Sequence, residues 1–208
     1  MNLFKKTFLI AFIASLLSAA CSSTEHRDHA QDFFIEEAYI DYPIHLLARF
    51  GNTNGIEKLF KNNYSAIDRV SPPDDWTALM LASAYGHLDT VKFLISKGAK
   101  IDFRSEKCGC TALLTATHQQ ETNENHYKVV EFLLSKGADS NAVDNLGDDA
   151  LIVPVKNKKY EIVKLLLTKR KFNLSRRNKE GRSAMDYAKD NEDTEMIKIL
   201  ESHSNISR

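Results

Sequence analysis

The chain has 208 residues and carries 28 Lys and Arg against 28 Asp and Glu, so it has no formal net charge. That balance excludes a globally basic nucleic-acid binder and an acidic disordered tail. Hydrophobic residues make up 43 %, enough for a packed core, while 8 Gly and 4 Pro are too few for collagen-like, linker-rich or turn-dense β-sandwich chains.

The first predicted element is a leader. Lys5 and Lys6 form a short positive region, residues 8–17 are apolar apart from Ser15, and Ser18, Ala19 and Ala20 are small. This is the layout of a cleaved secretory signal peptide over residues 1–20. The apolar run is shorter than the roughly 20 residues that a membrane-spanning helix needs. Leu17-Ser18-Ala19-Ala20-Cys21 resembles a bacterial lipobox, in which the cysteine thiol is acylated and becomes the first mature residue. The match departs from the pattern in one place. Leu is preferred three positions before the cysteine, and Ser18 stands there, with Leu17 one step further back. Ser18 and Ala20 also suit simple secretion without a lipid. The resemblance implies lipidation at Cys21, a polar tether over residues 21–32 and a lipid-anchored chain in the periplasm or cell envelope. Several acyl chains anchor far more firmly than one.

Beyond the tether the chain aligns with itself. Five segments start at Tyr42, Thr77, Thr111, Asp149 and Ser183, spaced by 35, 34, 38 and 34 residues. Two places after each start comes an apolar residue: Ile44, Leu79, Leu113, Leu151 and Met185. A second apolar position holds Ile56, Val91, Val130, Val163 and Ile197, and three residues further on there is always Leu, from Leu59 to Leu200. The third unit keeps this register only after an insertion around Glu121 to Asn125. Leu88, Val91, Leu94 and Ile95 share one face of a helix. Thr77 is placed to cap a shorter helix before it, and Gly86 and Gly98 are placed to end the two. Each unit therefore reads as two short helices. One pair cannot bury its apolar face, but a stack of pairs can. In the fourth unit Pro154 removes an amide donor inside the first helix, and Arg170 stands where a closing glycine is expected.

These residues resemble the ankyrin repeat, whose period is about 33 and whose mark is Thr-Pro-Leu-His followed by Ala. The second unit carries Thr77-Ala78-Leu79, Ala82, Gly86-His87 and Lys97-Gly98-Ala99. The third carries Thr111-Ala112-Leu113, Ala116 and Lys136-Gly137-Ala138-Asp139 with Asn141. The first carries Pro43, His45, Ala48 and Gly51, and the fifth carries Gly181, Ser183, Ala184 and Ala188. The resemblance implies an all-α ankyrin-repeat solenoid over residues 33–208, with about five helix-turn-helix units and short hairpin tips. It also implies that a partner protein binds the concave side, built from the tips and the outer ends of the first helices. On that side the resemblance puts Phe50, Trp76, Tyr85 and His118. His45 and His87 take structural positions.

No nucleophile, base and orienting acid can be placed together, and no Gly-rich phosphate loop follows a strand. An enzyme is not expected, nor is a cofactor or a metal. With Cys21 lipidated, Cys108 and Cys110 remain as an even pair. An oxidising compartment permits a disulfide between them, and two free thiols are the alternative. Between Lys156 and Arg182, eleven basic residues stand against Glu161 and Glu180. This stretch, with Arg176 and Arg177 at its centre, could steer an acidic protein or meet lipid phosphates; solvated helix faces are the plainer reading. The expectation is a monomeric envelope module that binds another protein and no nucleic acid. The alternative is an immunity protein that blocks a secreted toxin, such as a lipase, in the periplasm.

Overall fold

Four of the five predicted starts hold a side chain able to accept a hydrogen bond from the first helical turn, and each does so. In the computed structural model, Thr77 Oγ1 accepts from Met80 N at 3.3 Å and Thr111 Oγ1 from Leu114 N at 3.4 Å. Asp149 Oδ1 accepts from Leu151 N and Ile152 N at 3.0 and 2.9 Å. Ser183 and Asp186 form a reciprocal capping box. The first start is Tyr42, which makes no side-chain cap and is followed by Pro43 in the first turn, where a missing amide costs nothing.

The structure describes residues 42–62, 64–118 and 124–204. The predicted leader, Cys21, the tether and the first residues of the predicted solenoid, 33–41, lie outside the described residues, as do residues 121–123 of the insertion. The described residues contain ten helices in five pairs. They are α1 Pro43–Arg49 and α2 Thr53–Lys61, α3 Ala78–Ala84 and α4 Leu88–Ser96, α5 Ala112–His118 and α6 Glu124–Ser135, α7 Ile152–Lys156 and α8 Tyr160–Lys169, and α9 Ala184–Asp190 and α10 Thr194–Ser204. Among the described residues the only β pairing is two isolated bridges at hairpin tips, Ser71 with Trp76 and Val143 with Asp149.

First helices stack on first helices and second helices on second, in two parallel rows. Ile44, Leu79, Leu113 and Leu151 fill the first row, and Ile56, Val91, Val130 and Val163 the second, all buried. Leu94, Leu133 and Leu166 are fully buried between the rows. The last unit departs from this register. Met196 is fully buried and Ile197 half-buried, with no further described unit packed over it.

In the first, second, fourth and fifth pairs the turn between the helices uses a residue with positive φ. Gly51 and Gly86 supply it at +67° and +72°, while Lys158 and Glu192 adopt it at +55° and +52° in the fourth and fifth units. Gly51 has a second reason to lack a side chain. A Cβ there would stand 2.6 Å from His87 Nδ1. The His87 ring lies across the seam and its Nε2 donates to Arg49 O at 2.9 Å. His126 repeats this one unit later, donating to Ala84 O at 3.0 Å.

The fourth unit behaves differently from the expectation at one of its two irregular positions. Arg170 does not take a left-handed turn; its φ and ψ are −142° and 151°, so the chain leaves α8 extended. The guanidinium then donates to Leu134 O at the C-terminal end of α6, tying the fourth unit to the third. At the other position the expectation holds in form. Pro154 lies inside α7, which has five residues where the other first helices have seven, as a missing donor dictates.

Candidate binding surface

Tyr85 caps the C-terminal end of α3. It is 41 % exposed, which makes it, with Leu146 at 56 %, a large hydrophobic side chain open to solvent. The Arg49 guanidinium sits 4.9 Å above its ring. The His87 ring stacks beside it, with centroids 6.3 Å apart and planes at 15°. Arg49 ends α1 in the first unit, whereas Tyr85 and His87 flank Gly86 in the second. The stacking of α1 on α3 therefore assembles this group, and the His87 hydrogen bond to Arg49 O holds its register.

The other predicted aromatics lie lower. Phe50 and Trp76 are half-buried and pack against the core. Trp76 Nε1 is buried without a hydrogen-bond partner among the described residues. Both rings thus expose less than Tyr85 does. The second tip is closed by the bridge from Ser71 to Trp76, with Ser71 N donating to Trp76 O at 3.0 Å.

His118 is the last residue of α5 and half-buried. Its Nε2 lies 3.7 Å from Asp144 Oδ2, an ion-pair distance too long for a hydrogen bond. Burial lowers its pKa from 6.5 despite the pull of the Asp144 and Asp148 carboxylates. Around it the fourth and fifth tips hold a polar network. The buried Asp148 carboxylate pairs with Lys156 Nζ at 2.9 Å and accepts from Asn178 Nδ2 at 2.6 Å. Asn178 Nδ2 also donates to Tyr187 OH at 2.9 Å, and that hydroxyl donates to Glu180 at 2.7 Å. Asp149 is pushed above the usual carboxylate range by burial, against the hydrogen bonds from Ile152 N and Leu151 N.

The basic stretch is largely engaged within the fold. Arg176 donates to Asn141 O at 2.9 Å and lies 3.9 Å from Asp149. Arg177 donates to Asp186 at 2.8 Å, and Arg182 pairs with Asp190 at 2.7 Å. Lys164 and Lys169 pair with Glu161 and Glu131. These contacts tie tips to helices, so a sequence count of positive charge overstates what the surface presents.

Two features escape the sequence reading. One is Leu146, exposed at the fourth tip, whose signal is an apolar residue just before the turn glycine. The other is the seam made by His126, whose register match to His87 is hidden by the insertion. In the third tip a disulfide joins Cys108 and Cys110 across Gly109. Among the described residues no group of three or more His, Cys, Asp or Glu is placed to hold a metal, and no helix is long and apolar enough to cross a membrane.

The sequence matches the ankyrin repeats in three copies, over residues 16–105, 44–144 and 121–208. The chain belongs to the ankyrin-repeat family. Its relatives place ankyrin repeats in varied company. It is 29 % identical over 127 residues to Ankyrin repeat and KH domain-containing protein mask-1 of Caenorhabditis elegans, covering 61 % of this chain and 4 % of that protein. It is 35 % identical over 134 residues to an ankyrin repeat protein of fowlpox virus, covering 62 % and 38 %. It is 41 % identical over 66 residues to the Ankyrin repeat, SAM and basic leucine zipper domain-containing protein 1 of Equus caballus, covering 32 % and 14 %. The chain therefore matches well under half the length of each of these relatives. Ankyrin stacks are protein–protein interaction modules.

Proposed function

We propose that this ankyrin chain is a non-enzymatic binding module that docks a partner protein on its concave side, over the first three units. The observation that carries the reading is the Arg49–Tyr85–His87 group, an exposed ring held between two cationic or polar side chains across a unit boundary. A half-exposed tyrosine on a rigid support loses little entropy on docking, and Tyr and Arg are the side chains that most often dominate binding energy. Phe50 and Trp76, half-buried against the core, are proposed to add apolar area to the same surface. Tyr85→Ala should weaken partner binding by about 2 kcal/mol or more with the denaturant midpoint unchanged. Full affinity in that variant would overturn the reading.

The location proposed for the module is the cell envelope, with a lipid on Cys21 as anchor. The support is the sequence of residues 1–21. Cys21→Ser should move the protein from the membrane to the soluble fraction. Membrane association without an acyl group on Cys21 would overturn the lipoprotein reading. If the captured partner is a secreted toxin and loses activity in the complex, the module acts as an immunity protein.

A further inference from the structure

The residues from Ser105 to Cys110 close a small turn. Ser105 N donates to Cys110 O at 3.0 Å, and Gly109 N donates back to Ser105 O at 2.8 Å. Gly109 takes a φ of +70°, a conformation that favours glycine. A Cβ there would meet Asn145 Oδ1 at 2.7 Å, so the neighbouring tip also requires its absence. The bend brings the Cα atoms of Cys108 and Cys110 to 5.2 Å, within the span a disulfide bridges. An extended strand would hold them roughly 6.6 Å apart.

Three observations set this pair apart from a structural staple. Only Gly109 lies inside the ring, and a crosslink stabilises mainly by closing a long loop of the unfolded chain. The two sulfurs differ in access, because Cys110 is buried and Cys108 only half-buried. The surroundings also favour a thiolate at Cys108. Cys110 N donates to Cys108 Sγ at 3.2 Å. An amide donor stabilises the anionic sulfur that takes part in exchange.

We propose that Cys108 and Cys110 form a reversible thiol–disulfide exchange site on the third tip, with Cys108 as the sulfur that reacts with an external thiol couple. In the reducing direction a thiolate of an external dithiol attacks Cys108 Sγ. The Cys108–Cys110 bond breaks, and Cys110 leaves as a thiolate and takes up a proton. The second thiol of the reductant then loses its proton and attacks the mixed disulfide. Cys108 leaves as the thiolate that the Cys110 amide stabilises, and is protonated in turn. Two electrons and two protons pass to the pair, and the reductant becomes a disulfide. The reverse sequence, with an external disulfide as oxidant, closes the ring again.

The test is a redox titration of the full chain. The protein is equilibrated in glutathione buffers of graded reduced-to-oxidised ratio, free thiols are alkylated, and trypsin releases residues 108–128, which hold this pair apart from Cys21. The peptide should pass from disulfide to doubly alkylated within the glutathione range. A peptide that stays disulfide in excess dithiothreitol, or stays a dithiol in oxidised glutathione, overturns the proposal. For the direction of attack, Cys110→Ser should take up glutathione from oxidised glutathione at Cys108 at least about tenfold faster than Cys108→Ser does at Cys110. Equal rates would contradict the role given to Cys108.

Discussion

At His45 the imidazole Nε2 donates to Arg69 O at 2.7 Å while the ring is fully buried. Burial is the largest cause that drives its pKa from 6.5 down to about 4, and the nearby Arg69 guanidinium adds to it against the hydrogen bonds. The folded pKa lies below the unfolded one, so the unfolded chain binds more protons between the two. The stabilisation from keeping His45 neutral is therefore present in full above pH 6.5 and is lost as pH falls to about 4. The loss can reach about 3 kcal/mol, at 1.36 kcal/mol for each pKa unit. His87 and His118 are lowered by burial as well and act in the same direction. Urea unfolding from pH 8 to pH 4 should show a plateau and then a decline beginning near pH 6.5, and His45→Gln should make that decline shallower. An unchanged pH dependence in the variant would contradict this account of His45.

Among the elements, α7 is the one whose sequence works against its role. Asp149 caps its start with two hydrogen bonds, but Pro154 cannot donate within it, and the regular helix shrinks to Ile152–Lys156. Hydrogen exchange should be faster in residues 151–157 than in residues 78–84 of the second unit. Equal protection would mean that packing on α5 and α9 fully compensates. The helix pairs were legible in the sequence because each depends on local chemistry. A hydroxyl or carboxylate at Thr77, Thr111, Asp149 or Ser183 caps the turn that follows it, and a glycine at position 51 or 86 permits the turn that ends it. What could not be read depends on neighbours distant in sequence. Arg170 leaves its helix extended and reaches Leu134 of the preceding unit. The charge on Arg176 and Arg177 is taken up by Asn141, Asp149 and Asp186, contacts that a composition window does not see.

The whole molecule is two rows of helices in which each unit buries the apolar face of the next. Leu94 and Leu133 lie fully buried at the junctions of the second to third and third to fourth units. Leu94→Ala or Leu133→Ala should each cost roughly 2–5 kcal/mol, from lost burial and the cavity left behind. The loss should spread to both neighbouring units, because repeats in a stack stabilise one another. A change below about 0.5 kcal/mol at both sites, within the range of ordinary surface substitutions, would contradict the packing described.

The same stack gives the molecule two distinct sides. One carries the tips and the Arg49–Tyr85–His87 group; the other carries exposed faces of second helices such as that of Lys92. Partner proteins are proposed to meet the first side. The direct measurement places a photo-crosslinking amino acid at Tyr85 in one version of the full chain and at Lys92 in another, in living cells. The two positions belong to one unit and differ in the side they face, so expression and folding are matched. A discrete protein adduct from position 85, absent from position 92 and reduced when Arg49 is replaced by Ala, is the predicted result. Adducts from position 92 with none from position 85 would contradict the claim and move the interface to the second-helix side.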